Sequence, residues 1–529
     1  MAVISLVELL ITVIAVVPII LALLLLSSSS SSSRKRDDGR RQPPSPPGLP
    51  LLGHLHLLGR LPHRALRSLA ASHGPVMLLR LGRVPTVVAS SAAAAEEAMK
   101  TRDLAFSGRP ALLMAQRLLY GGRDVGFAPY GEYWRQARRV CAVHLLGPRR
   151  VAYFRRVREQ EVAALVARVR HEAAAGGAVN LSDVLICYSK AIISRAAFGD
   201  VDYGLDGDEG GEKLRRVFAD FQELVLASPM REIAPWLGWV DTVTGLEART
   251  RRTFEALDGL LERVIADHRS RRSGGRQRQD LGDGDVDDHR DFVDVLLDVE
   301  EMDKDAGLRL DTDNIKAIIM DIFAAGTDTS STVLGWAMAE LINHPREMRK
   351  LQDEVRGAGR VTEDHLVDGM PFLKAVISET MRLHAPAALL IPRETTEDTE
   401  LLGYHVPART RVVINAWAIG RDPAAWERAE EFVPERFVDA PVDYSRVGAG
   451  QDFRFVPFGA GRRGCPGAGF AAPAMELALA NMLYHFDWAL VAHGRGRRQG
   501  TPSVDVSEVF GLSVRLKAPL ILVAKPWSG

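Results

Sequence analysis

The stretch Phe455 to Ala471, FVPFGAGRRGCPGAGFA, constrains this chain more than any other. A fold containing it must spend a sharp, glycine-rich turn on holding a single sulfur. Glycine lets the backbone turn where side chains forbid it and lets other groups approach closely. Several chemistries could use such a turn. A nucleophilic cysteine needs a base, usually histidine, and no partner can be assigned from sequence. A phosphate loop wants a lysine and a hydroxyl after its last glycine, whereas Arg462, Arg463, Gly464 and Cys465 follow Gly461. A buried structural cysteine is the ordinary expectation for any single thiol. The remaining reading is a thiolate metal ligand. A haem iron held by one thiolate needs an ionised sulfur, backbone N–H donors and a tight loop beside a flat ring. It also needs cations for two propionates. Glycines on both sides of Cys465, and Arg463 two residues before it, meet these demands.

Composition narrows the field. The chain has 529 residues, 47% hydrophobic and 25% charged, compatible with one large globular domain. Lys+Arg and Asp+Glu are equal at 67 each, so no global charge invites nucleic acid. The three cysteines, Cys141, Cys187 and Cys465, are too few and odd in number for a disulfide framework and fit a reducing compartment. Cys141 and Cys187 read as core fillers. No CxxC or HExxH occurs, so zinc lacks support.

Leu9 to Leu26, LLITVIAVVPIILALLLL, carries no charge. At ~1.5 Å per residue it spans about 27 Å, close to a thin endoplasmic-reticulum bilayer. Arg34, Lys35, Arg36, Arg40 and Arg41 follow it and no basic residue precedes it. The positive-inside rule then places the body of the chain in the cytoplasm. A cleaved signal peptide would want a charged segment before the apolar run, and none is present. The expected division is a membrane anchor and serine spacer over 1–33, a basic, proline-rich hinge over 34–53, and a catalytic domain over 54–529.

That domain reads as mainly helical with a small β region. Val157 to Ala174, Thr250 to Arg272 and Thr312 to Asn343 carry apolar residues at helical spacing. Short β-like runs appear at VMLLRLG, PTVVAS, RVVINAW and APLILVA. The polar, glycine-rich segment Ser273 to Asp291 reads as a surface loop, expected to be disordered.

FGAGRRGCPG, Phe458 to Gly467, matches the haem signature F-x-x-G-x-R-x-C-x-G of the cytochrome P-450 family at every fixed position. AGTDTS, Ala325 to Ser330, resembles that family's oxygen-activation stretch. ETMR, Glu379 to Arg382, and FVPERF, Phe432 to Phe437, resemble its ion-pair cluster, and WRQAR, Trp134 to Arg138, its propionate-reaching motif. The resemblance runs from the proline segment to the C-terminus and is strongest to plant A-type members, family 71 in particular. One departure is Ala385 before Pro386, where relatives usually have proline directly after R-L-H.

The resemblance implies the cytochrome P-450 fold with a single N-terminal transmembrane anchor helix. It implies haem b (iron protoporphyrin IX) with Cys465 as axial ligand. Trp134, Arg138 and Arg463 become propionate candidates, with Arg109 and Arg393 behind them, and Phe458 and Gly459 join the cofactor-binding set. Asp328 and Thr329 become the proton-delivering pair. Thr329 lies mid-helix, where its hydroxyl can compete for the Ala325 carbonyl and bend the helix. Glu379, Arg382 and Arg436 become a structural cluster. His344 and His384 read as structural. A membrane-bound NADPH-dependent reductase is the implied electron donor, and O2 and a small organic molecule the substrates. Two alternatives are an isomerase or dehydratase of the same family that uses no O2, whose members typically lose the acid–threonine pair kept here, and a non-catalytic haem protein. Pocket-lining segments carried over by resemblance are Pro110 to Leu119, Phe323 to Ser331, Pro386 to Pro392 and Val509 to Val514. Their expected contact residues are Leu112, Leu113, Phe323, Ala324, Leu389, Leu390, Phe510 and Leu512. Arg117 and Asp328 are the charged residues among them. Such a wall favours a neutral, largely apolar molecule.

Overall fold

The computed structural model describes residues 40–201, 203, 208–273, 290–302, 310–448, 450–491 and 503–528. The expected anchor, the serine tract and the loop residues 274–289 lie outside the described residues. Among those described, no helix is long and apolar enough to cross a membrane.

The principal helices are α1 (Glu132–Val140), α2 (Arg155–Gly176), α3 (Leu181–Phe198), α4 (Leu246–Ser273), α5 (Thr312–Asn343), α6 (Pro371–Leu383) and α7 (Ala468–His485). Helix α5 starts where the sequence suggests, because Asp311 and Asn314 form a reciprocal cap. The Asn314 N–H donates to Asp311 Oδ1 at 3.0 Å, and the Asp311 N–H to Asn314 Oδ1 at 2.9 Å. It stops at His344, the residue before Pro345, where a helical conformation is sterically disfavoured. Between these ends it is buried on nearly all sides, as its near-continuous apolar run requires. Gly326 lets it press against α3. A Cβ there would lie 2.5 Å from Ile193 Cδ1.

Strands Val76–Leu81 and Val84–Ala89 form an antiparallel hairpin, and the second pairs in parallel with Arg411–Ile414, whose far edge takes Arg393–Glu394. A second sheet joins Val179–Asn180, Ile521–Pro526 and Phe486–Leu490. Two of the β-like runs are shorter as strands than they read. RVVINAW leaves the sheet after Ile414, because Asn415 accepts the Ala418 N–H at 3.1 Å and starts a short helix, Ala416–Ile419. APLILVA enters only at Ile521.

The proline-rich segment packs on the body. The carbonyls of Arg41 and Pro44 accept the N–H groups of His405 and Leu78, at 2.8 and 2.9 Å. His54 Nε2 meets the Pro46 carbonyl at 2.8 Å.

Glu379 and Arg382, one turn apart on α6, are fully buried and paired at 2.7 Å. Arg436 reaches Glu379 at 3.1 Å. The remaining Arg382 donors go to the carbonyls of Gly420, Ala429 and Glu431. The Val433 N–H donates to Glu379 Oε1 at 2.7 Å. This network stitches α6 to the long connection that leads to the cysteine loop.

Candidate active site

The cysteine loop is shaped by its glycines. The Cys465 N–H closes a turn on the Phe458 carbonyl at 2.8 Å. Gly461 has φ +65°, and a Cβ on it would lie 2.0 Å from the Met99 carbonyl oxygen. No other residue fits there. A single tight turn, Gly461–Arg463, then delivers Cys465 three residues before α7. Burial pushes the Cys465 thiol up, while the N–H groups of Gly467 and Ala468 and the Arg138 guanidinium act against that shift. These are the partners a bound thiolate would use.

Four guanidiniums gather beside the loop. Arg138 donates to the Gly464 carbonyl at 2.5 Å. Arg463 donates to Ser107 O and Ala128 O, both at 2.8 Å, and lies 4.0 Å over the Trp134 ring. Arg109 donates to Gly126 O at 2.9 Å and Ile391 O at 2.7 Å. Arg393 donates to Ala460 O at 2.9 Å. The Trp134 indole N–H goes to the Val125 carbonyl at 3.0 Å, so its ring serves here as a platform for Arg463. Burial, then mutual repulsion with Arg393, holds Arg463 down at about 9. Arg109 is depressed first by burial and then by Arg463 and Arg393. Asp103, 3.6 Å from Arg393, and Asp124 offset part of this charge, and the remaining excess suits an anionic guest.

Opposite the loop, Ala324, Ala325, Gly326, Thr329 and Ser330 of α5 line the same cavity as Cys465. Thr329 Oγ1 donates to the Ala325 carbonyl at 2.6 Å, as its mid-helix position suggests. Asp328 is not among the lining residues and sits by Ser513 and Arg515. Burial raises its carboxyl, with those two neighbours acting against the rise.

Comparison with known proteins agrees with this geometry. The family model for Cytochrome P450 matches residues 43–504. Cytochrome P450 71A1 of Persea americana is 46% identical over 481 residues, covering 89% of this chain and 91% of its own. The chain belongs to the cytochrome P450 family. Cytochrome P450 71A6 of Nepeta racemosa is 45% identical, covering 91% of this chain and 93% of its own. A solved zebrafish cytochrome P450 with progesterone superposes with a TM-score of 0.68 at 26% identity, covering 88% of this chain and 99% of that one.

This P450 is therefore a haem-thiolate monooxygenase, an oxidoreductase, with the mainly helical fold and small sheets of its family. Its residues fit the cofactor. Cys465 would ligate the iron, and the clustered arginines would take the propionates. When bound, the haem supplies the oxygen chemistry, and thiolate ligation favours O–O cleavage. The chain's own part is to orient the sulfur, neutralise the propionates and position the Thr329 hydroxyl opposite them.

The substrate wall of the P450 needs correction. Ala324, Leu390 and Leu512 line the cavity, but Leu112, Leu113, Phe323, Leu389 and Phe510 do not. Phe323 points behind α5, stacked between Phe198 at 5.8 Å and Phe218 at 4.3 Å. Phe510 stacks on His63 at 5.6 Å. Leu389 packs on the core beside the first sheet, and Leu112 in the main core. Leu113 is held by its N–H, which donates to Glu232 at 3.1 Å. Arg117 faces Glu247 at 3.5 Å, outside the cavity. In their place stand Leu119, Phe127, Phe221, Val225, Ile322 and Ile391. Asp321 also lines the cavity. It stands alone as a charge within the apolar run Ile318–Phe323, a signal visible in the sequence.

Proposed function

We propose that this P450 hydroxylates a small, neutral, largely apolar plant-type metabolite, using O2 and electrons passed from NADPH by a membrane-bound reductase. The observation that carries the reading is the wall of the cavity that Ala325 and Thr329 line. Leu119, Phe127, Phe221, Val225, Ile322 and Leu512 offer apolar area, worth about 25 cal/mol per Å² covered. Asp321, the carboxylate among the lining residues, already accepts two backbone N–H bonds on Oδ2. Kinship with family 71 members and with a norfluorocurarine oxidase from Strychnos supports a small-molecule substrate. The test is a panel of neutral and ionic compounds, scored by the spectral shift that follows displacement of water from the iron. Neutral apolar compounds are expected to give the tight binders. Tight binding confined to amines or carboxylates would overturn the reading.

Thr329→Ala is expected to leave haem content intact, lower product formed per NADPH consumed, and raise peroxide correspondingly. The hydroxyl that orders proton delivery on this side of the cavity is gone. An unchanged ratio of product to NADPH would take Thr329 out of the mechanism.

We further propose that the chain is a single-pass protein of the endoplasmic reticulum membrane with a cytoplasmic catalytic domain. The apolar run Leu9–Leu26 and the basic cluster after it support this. So does an exposed apolar face. Leu51 is 51% exposed, Trp239 61% and Val243 76%. Backbone bonds from Gly82 to Leu52 O and from Arg83 to Ile233 O, both 3.1 Å, bring their two segments together. Deleting Met1 to Ser33 should release most of the protein from membranes, with some retained through that face, and preserve the haem spectrum. Loss of haem would show that the leader belongs to the fold.

A further inference from the structure

The loop Asp124–Ala128 joins two parts of the molecule. On one side its carbonyls hold the haem-side cations. Val125 O accepts from Trp134, Gly126 O from Arg109, and Ala128 O from Arg463. On the other side two carboxyl groups converge. Asp321 of α5 accepts the N–H groups of Val125 at 2.6 Å and Gly126 at 2.8 Å on one oxygen. Asp124 is fully buried. Its Oδ2 accepts the Phe127 N–H at 2.6 Å, and its Oδ1 is buried with no hydrogen-bond partner. A Cβ at Gly126 would lie 3.3 Å from Asp321 Oδ1 and 3.6 Å from Asp124 Oδ2, so both groups flank the same glycine.

We propose that Asp124 keeps its proton beside an ionised Asp321, and that this singly protonated pair latches the loop to α5 and so positions Arg109, Arg463 and Trp134 for the haem. Two bare carboxylates flanking one buried glycine repel, and a proton on Asp124, whose Oδ1 has no partner to stabilise a charge, removes the repulsion. The charges and titratable groups facing the pair are Arg109 and Arg463 from the haem side, and Tyr133 and Cys141 from α1 and the turn after it. With one proton the pair carries a single negative charge, which attracts Arg109 and Arg463. Burial raises both carboxyls, and for Asp124 the neighbouring Asp321 adds to the rise. The folded state then holds a proton that the unfolded chain has released. Raising the pH through the pair's titration therefore weakens the latch, and lowering it restores the latch. Asp124 and Asp321 act as positioning residues, through the loop carbonyls that hold Arg109, Arg463 and Trp134.

The experiment measures transfer of haem from the holoenzyme to excess apomyoglobin across mildly acidic to mildly alkaline pH. In the wild type the release rate is expected to rise with pH by up to about tenfold per unit. In Asp124→Asn, whose neutral amide stands in for the protonated carboxyl, the rate should be flat over that range. Infrared spectra at neutral pH supply a second readout. The wild-type-minus-Asp124→Asn difference should contain the carbonyl stretch of a protonated carboxyl that shifts in D2O. Release that is independent of pH in the wild type, an undiminished slope in Asp124→Asn, or no such band in the difference spectrum would each overturn the proposal.

Discussion

Cys465→Ser is expected to abolish thiolate ligation and monooxygenase activity together. The reduced carbon monoxide complex should lack the red-shifted Soret band of a thiolate-bound haem. The loop itself should survive, because its shape depends on Gly461 under the Met99 carbonyl and on the Cys465 N–H bond to Phe458, neither of which needs sulfur. What disappears is an ionisable donor. The N–H groups of Gly467 and Ala468 can stabilise a thiolate, but a serine hydroxyl stays neutral and donates poorly to iron. A mutant that kept the red-shifted band would remove Cys465 as the ligand.

Glu379→Ala should have the next largest effect, and it should act on folding. It leaves the Arg382 guanidinium fully buried with no counter-charge, at a cost of about 3–5 kcal/mol. It also orphans the Val433 N–H and frees Arg436. Since a domain's whole stability is about 5–15 kcal/mol, the holoprotein yield should collapse. Glu379→Gln keeps the shape and part of the hydrogen bonding and should lose less. The check is haem content per protein and thermal midpoint for both variants. Wild-type values for Glu379→Ala would show that the cluster is dispensable.

The features legible in the sequence are those set by local chemistry. Asp311 and Pro345 bracket α5 because caps and prolines act within a few residues. The cysteine loop is legible because each glycine answers a steric demand that no neighbour can relieve. The pairing of Glu379 with Arg382 follows from helical spacing. The substrate wall was less legible because it depends on tertiary rotation. Successive residues on a helix point about 100° apart. Choosing Phe323 over Ile322 therefore selects the face turned toward Phe198 and Phe218 instead of the cavity. Phe127 and Phe221 come from segments whose position only the assembled fold determines. Leu389 and Phe510 show the same error in loops, where one or two residues decide between cavity and core.

The Arg138 bond to the Gly464 carbonyl joins residues 326 positions apart. Arg463, whose guanidinium lies over Trp134, belongs to the same late segment. At about 5–20 residues per second of synthesis, roughly half a minute separates the emergence of one side of this cradle from the other. During that interval Trp134 and Arg138 are already outside the ribosome, while the sulfur and its flanking arginines have yet to be made. Both sides of the cradle are available to the cofactor only after Cys465 has emerged.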